Sequence, residues 1–139
     1  MVTIKSKREI ELMREAGKVV AEVYDELEKH MKPGITTLEL DQIAEQTMRK
    51  LGAEPAEKGY DPGIKGVPKF PASICVSIND EVIHGIPSKY RKLKEGDIVS
   101  IDTVALKNGY NGDAARTFVV GKTSKENQRL IDVTKQAFF

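Results

Sequence analysis

The sequence predicts an α+β fold in which helices cover an antiparallel sheet. Two runs rich in β-forming residues, Ile98 to Leu106 and Tyr110 to Val120, flank Asn108-Gly109, and this dipeptide is a strong signal for a two-residue hairpin turn. Three stretches with apolar residues at helical spacing each begin with a hydroxyl residue followed three positions later by Glu, the pattern of a capping box. The length of 139 residues is usual for one domain, so we expect a single domain over residues 1–139.

Each helix has its own start signal. The first is predicted to begin at Ser6-Lys7-Arg8-Glu9 and to run to about His30. The second begins at Thr36-Thr37-Leu38-Glu39 and ends near Gly52, because glycine suits the end of a helix. The third begins at Thr123-Ser124-Lys125-Glu126 and continues to the last residue.

The region between the second helix and the hairpin is mostly irregular. Residues 54–70 are rich in Pro and Gly without apolar periodicity, which predicts a long loop of functional interest. Ser73 to Asn79 alternates as a strand, and Val82 to Pro87 is predicted as a short second strand. His84 lies in this second segment, and a lone histidine in such a place is typical of a structural residue.

The hairpin brings two acids together. With Asn108-Gly109 as the turn, Asp102 lies opposite Ala115, and Asp113 shares a sheet face with Asp102. Apolar residues occur on both faces of the hairpin, so we expect both faces to be covered. Two buried carboxylates repel each other unless a positive charge lies between them, which predicts a divalent metal site. The alternative is an exposed hairpin whose acids are solvated or paired with lysines.

Composition excludes several classes of protein. The net charge is +1, with 31% charged residues of both signs, so we expect neither nucleic-acid binding nor a polybasic membrane surface. The sequence has no apolar run of membrane-spanning length. A single cysteine, Cys75, excludes an internal disulfide framework and fits a reducing compartment, so we expect a cytoplasmic protein.

Five segments carry a resemblance to a known family. They are Lys58-Gly59-Tyr60, Phe70 to Asn79, His84-Gly85-Ile86-Pro87, Gly96 to Asp102, and Gly109 to Asp113. In this order and spacing they resemble the type I methionine aminopeptidases, which are metal-dependent exopeptidases of the pita-bread fold. The resemblance covers the whole chain and implies the N-terminal half of a pita-bread domain. Residues 61–68 are additional to the compact form of the family.

The resemblance also implies an activity, the removal of the initiator methionine from nascent polypeptides by metal-activated water. By resemblance, Asp102 and Asp113 bind two divalent ions (Co, Mn, Fe or Zn), and Asp113 bridges them. His84 corresponds to a catalytic histidine that hydrogen-bonds the substrate near the scissile amide. The remaining implied roles are a methionine pocket lined by Tyr60, Phe70 and Cys75 and a monovalent-cation loop at Asn79.

The family's other metal ligands, one His and two Glu, lie in a C-terminal half that this sequence does not contain. We therefore expect the 139-residue chain alone to be inactive, and the expected substrates of the whole enzyme include nascent peptides at the ribosome. An alternative is a non-catalytic half-domain of the same fold that binds peptides or a partner. Another is self-association, because the last helix ends on the apolar pair Phe138-Phe139, which we expect to be buried against further chain or a second copy.

Overall fold

A four-stranded antiparallel sheet with the first two helices packed on one face makes up the core of residues 3–139, the part of the chain that the computed structural model describes. Met1 and Val2 of the predicted domain lie outside it. The elements in chain order are α1 (Lys7–His30), α2 (Thr37–Lys50), β1 (Glu54–Pro55), β2 (Cys75–Ile78), β3 (Ile98–Lys107), β4 (Tyr110–Val119) and α3 (Lys125–Phe138). Because β4 pairs along all of β3, both β1 and β2 pair with the opposite edge of β3.

The first two capping boxes form as predicted. The Ser6 hydroxyl accepts a bond from the Glu9 amide at 3.3 Å, and the Ser6 amide donates to the Glu9 carboxylate at 2.7 Å. Thr36 and Glu39 make the same reciprocal pair at the start of α2. These bonds satisfy backbone donors that a helix start leaves without partners, so the sequence predicts both starts well.

The third predicted capping box is wrong by one residue. Ser124 caps α3 and accepts a bond from the amide of Asn127 at 3.1 Å. The hydroxyl of Thr123 instead donates to the carbonyl of Gly96 at 2.9 Å. A tertiary bond therefore takes the hydroxyl that the sequence pattern assigned to the helix.

The core lies between one face of the sheet and the first two helices. Its main residues are Val20, Val23, Leu27, Leu40, Ala44 and Met48 from the helices and Ile74, Val76, Val99, Ile101 and Ala105 from the sheet. All residues of α3 are exposed or half-buried, and Phe138 and Phe139 are 84% and 93% exposed. Among residues 3–139, no helix is both long and apolar enough to cross a membrane.

Residues 82–87 do not form the predicted strand. His84 has a left-handed backbone with φ of 58°, which interrupts an extended run. The carbonyl of Gly85 accepts a bond from the Val76 amide at 2.8 Å, and a Cβ at Gly85 would lie 2.1 Å from the Val76 carbonyl oxygen. Glycine at this position therefore lets the chain lie directly beside β2, with His84 next to it.

Close packing where α1 crosses β4 predicts that one added methyl group lowers the stability of the fold. A Cβ at Gly112 would lie 2.5 Å from the backbone carbonyl of Ala16, so Gly112→Ala must push the helix away from the sheet. We expect the free energy of unfolding to fall by about 1–3 kcal/mol, as in other overpacked sites. Denaturant unfolding followed by circular dichroism measures this change.

The matched control is Gly17→Ala in the same crossing. A Cβ at Gly17 meets nothing within 4 Å outside its own helix, and Gly17 lies inside α1. Alanine should therefore raise the free energy of unfolding by up to about 1 kcal/mol. A neutral Gly112→Ala variant would contradict the close packing of α1 on β4.

Candidate metal centre

The β3–β4 hairpin has the predicted register. Asn108 and Gly109 both have positive φ, at 53° and 81°, as a two-residue type I′ turn requires. Asp102 pairs with Ala115, and Asp113 lies opposite Val104 two residues away. The prediction that Asp102 and Asp113 are diagonal neighbours on one face of the sheet is therefore confirmed.

The prediction that this face is covered is wrong for residues 3–139. The helices pack on the other face, where Val99, Ile101 and Thr103 are buried. Asp102 is half-buried and Asp113 is exposed. The mixture of polar and apolar residues on both faces of β3 could not decide which face the helices take, and the packing of α1 and α2 settles it.

The two acids interact electrostatically. Burial raises the pKa of Asp102, the nearby charge of Asp113 raises it further, and His84 opposes part of this rise. A cation between the carboxylates would relieve their repulsion, and carboxylate oxygens suit Mn, Fe, Co and Zn ions as ligands. The donor set therefore fits a divalent ion. Within residues 3–139, however, no three His, Cys, Asp or Glu side chains are arranged to hold one.

The segment that carries His84 lies beside β2, and β2 pairs with the edge of β3 opposite β4. The bond from Val76 to Gly85 places the His84 segment against β2, and Cys75 of β2 pairs with Asp102 of β3. The order is thus the segment that carries His84, then β2 with Cys75, β3 with Asp102 and β4 with Asp113. His84 is exposed, so its ring is free to contact a bound molecule.

The three residues predicted to line a pocket differ in burial, and only Cys75 belongs to the sheet. Cys75 is buried, Phe70 is half-buried and Tyr60 is 64% exposed. The Gly59 amide donates to the Phe70 carbonyl at 2.8 Å, and the Phe70 amide donates to the Tyr60 carbonyl at 2.9 Å. These two bonds close the base of the additional segment, so Tyr60 and Phe70 remain side by side. Their contact with a substrate stays a prediction.

Asn79 lies in a tight turn after β2. It has a φ of 56°, its side-chain amide donates to Asp97 at 2.9 Å, and its side-chain oxygen accepts from the Ile98 amide at 3.1 Å. The side chain thus links β2 to the start of β3. The monovalent-cation role of this loop stays a prediction.

Glu57 is a component of the site that the sequence reasoning missed. One carboxyl oxygen, Oε1, accepts a bond from the Cys75 thiol at 3.5 Å, and the other, Oε2, is buried without a hydrogen-bond partner among residues 3–139. Burial, then the charge of Asp102, raises the pKa of Glu57 to about 8. Burial and Glu57 together raise the pKa of the Cys75 thiol to about 12. A single Glu in a long loop gives no sequence signal of such burial.

Glu57 should make the chain less stable as pH rises. Its pKa is raised from 4.5 to about 8, so between these values the folded chain holds a proton that the unfolded chain has lost. Stability that is present below pH 4.5 is therefore lost towards pH 8. Glu57→Gln should reduce this loss by about 2 kcal/mol, less than the full linkage value because the group is partly solvated.

Urea unfolding at acidic and mildly alkaline pH, with a chelator present, measures this difference. Glu54→Gln is the matched control, since Glu54 is exposed at the start of the same segment. Parallel pH profiles for the original chain and Glu57→Gln would show that Glu57 is ionised and solvated in the folded state.

Comparison with known proteins places this geometry in a family. The sequence pattern of "Metallopeptidase family M24" matches residues 11–138. The chain is 56% identical to a methionine aminopeptidase of Clostridium acetobutylicum and 50% identical to methionine aminopeptidase 1 of Bacillus subtilis, each over the whole of this chain and 53% of the relative. The chain therefore spans about half the length of the curated relatives it matches.

A solved structure agrees with these relatives. The crystal structure of methionine aminopeptidase from Thermotoga maritima matches with a TM-score of 0.90 at 41% identity, over 98% of this chain and 52% of that one. This likeness confirms the predicted pita-bread fold. Since the family match also includes the hairpin with Asp102 and Asp113, the chain belongs to metallopeptidase family M24.

Proposed function

We propose that the protein containing this chain is a metal-dependent aminopeptidase that removes the N-terminal methionine from peptides. The observation that carries the proposal is the diagonal pair of Asp102 and Asp113 on one sheet face, with His84 in the segment that lies beside β2. The identity to methionine aminopeptidases supports the substrate. The alternative of a non-catalytic module has no comparable support, because both acids are present.

The proposed cofactor is a pair of divalent ions, which can be Co, Mn, Fe or Zn because the metal that such a site holds depends on its full geometry and on metal availability as well as on its ligands. Asp102 and Asp113 would hold them from the sheet, and Asp113 is the proposed bridging ligand. Such ions supply hydroxide at neutral pH and polarise a scissile carbonyl. The remaining ligands are proposed to come from a C-terminal half like that of the relatives.

The other residues have proposed roles in binding the peptide. The exposed ring of His84 is proposed to hydrogen-bond the substrate near its scissile amide, and Gly85 fixes the backbone that carries it. Cys75, Phe70 and Tyr60 are proposed to contact the methionine side chain, since a thiol and aromatic rings suit a thioether.

Three further proposals concern the biological setting. The single cysteine supports a cytoplasmic location, and methionine removal implies nascent peptides as substrates, at the ribosome or after release. Self-association of this half-domain is supported by the exposure of Leu130, Val133 and Phe138 along α3. Sedimentation of the chain at several concentrations tests the last proposal.

Activity gives the direct test. The 139-residue chain and the same chain joined to the C-terminal half of the Bacillus subtilis relative are assayed for methionine release from Met-Ala-Ser with each of the four metals. We expect activity only in the joined protein. In it, Asp102→Asn or Asp113→Asn should lower kcat/KM by at least about 100-fold, because loss of a direct ligand costs more than loss of a residue that supports one.

Asp25→Asn is the control, since Asp25 is an exposed acid on α1 away from the sheet. It should leave kcat/KM unchanged. Full activity in Asp113→Asn would refute the proposed metal role. Equal activity of the 139-residue chain alone would refute the need for further ligands.

A further inference from the structure

Tyr24 of α1 makes an unusual contact with the sheet. Its ring is 95% buried in the core, where it packs against Phe118 with ring centroids 6.0 Å apart. Its hydroxyl donates towards two backbone carbonyls, that of Ile101 at 3.1 Å and that of Ala114. A phenol has one proton, so the two carbonyl oxygens share it. The hydroxyl therefore connects α1 to β3 and β4 at once.

The two carbonyls belong to residues that are adjacent in the chain to the two acids. Ile101 directly precedes Asp102, and Ala114 directly follows Asp113. In the hairpin they belong to facing strands, on either side of the pair formed by Asp102 and Ala115. The hydroxyl thus holds β3 to β4 from the helix side, at the place where both acids project from the opposite side.

The hydroxyl is not needed for packing. Phenylalanine would fill the same apolar space, and a buried hydroxyl costs free energy unless it is hydrogen-bonded. Each strand carbonyl has a second lone pair, so it can accept from the hydroxyl in addition to a bond within the sheet. Burial raises the pKa of Tyr24, and the charges of Asp102, Glu57 and Asp113 add to this rise, so the hydroxyl lies within electrostatic range of the acids.

We propose that Tyr24 is a positioning residue for Asp102 and Asp113, whose hydroxyl fixes the relative position of the two strands and thereby the distance between the two carboxylates. The part of this inference that concerns metal binding rests on the proposed function. The geometric part concerns only the hairpin and does not depend on it. Tyr24 itself touches neither the substrate nor the ion, and it acts through the backbone.

The test is Tyr24→Phe, which removes the hydroxyl and keeps the ring. Mn²⁺ binding to the 139-residue chain is measured from the electron paramagnetic resonance of free Mn²⁺, well below the unfolding temperature. We expect the Kd for Mn²⁺ to rise about 3- to 10-fold, at or below the lower end of the effect of residues that support metal ligands directly. Val20→Ala is the control, because it removes core packing from the same helix and leaves the hydroxyl in place.

The second readout needs no metal. Amide hydrogen exchange in the metal-free chain should be at least about 10-fold faster at Thr103 and Arg116 in Tyr24→Phe than in Val20→Ala, because only the first variant releases the strands from the helix. In this register the amides of Thr103 and Arg116 face the carbonyls of Ala114 and Ile101, the two that the Tyr24 hydroxyl contacts. Weaker Mn²⁺ binding and faster local exchange in Tyr24→Phe alone would support the proposal. An unchanged Kd in Tyr24→Phe, or an equal rise in Val20→Ala, would overturn it and leave Tyr24 with a structural role only.

The two proposals can fail separately. If the chain does not bind Mn²⁺, or binds it equally well after Asp102→Asn, the proposal that this half binds a metal fails. Hydrogen exchange alone then decides the role of Tyr24. Unchanged exchange at Thr103 and Arg116 would then overturn the inference, and faster exchange would support it.

Discussion

The register of the β3–β4 hairpin is the constraint on which the candidate site depends. Side chains alternate between the faces of a sheet, so a slip of one residue would move Asp113 to the face opposite Asp102. Asn108 and Gly109 fix the register because both adopt the positive φ that a two-residue turn requires. The conformation of two turn residues thus places two carboxylates close enough for the charge of Asp113 to raise the pKa of Asp102.

The two faces of the sheet differ because the first two helices cover only one of them. α1 and α2 bury one face in the core, and α1 approaches β4 so closely that only glycine fits at position 112. From this buried face the hydroxyl of Tyr24 bonds both hairpin strands. The other face carries Asp102 and Asp113, and the neighbouring Glu57 has a pKa that is raised first by burial and then by the charge of Asp102. The core and the candidate metal site therefore lie on opposite sides of the same strands.

Local signals in the sequence predicted much of this arrangement. The hairpin, the starts of α1 and α2 and the pairing of Asp102 with Ala115 follow from short-range rules about turns, caps and alternation. Features that depend on tertiary contacts could not be predicted in this way. Ser124 rather than Thr123 caps α3 because Thr123 bonds Gly96. Residues 82–87 do not form the predicted strand because Gly85 packs on β2. The face covered by the helices and the burial of Glu57 likewise depend on packing between distant segments.

The most direct test of the account is the position of a metal ion. Crystals of the chain, alone or joined to a C-terminal half, would be soaked with Mn²⁺ and measured by anomalous diffraction. We expect an anomalous peak about 2.0–2.3 Å from carboxylate oxygens of both Asp102 and Asp113. Peaks only elsewhere, with the two carboxylates solvated or paired with lysines, would contradict the claim that the hairpin register builds a metal site.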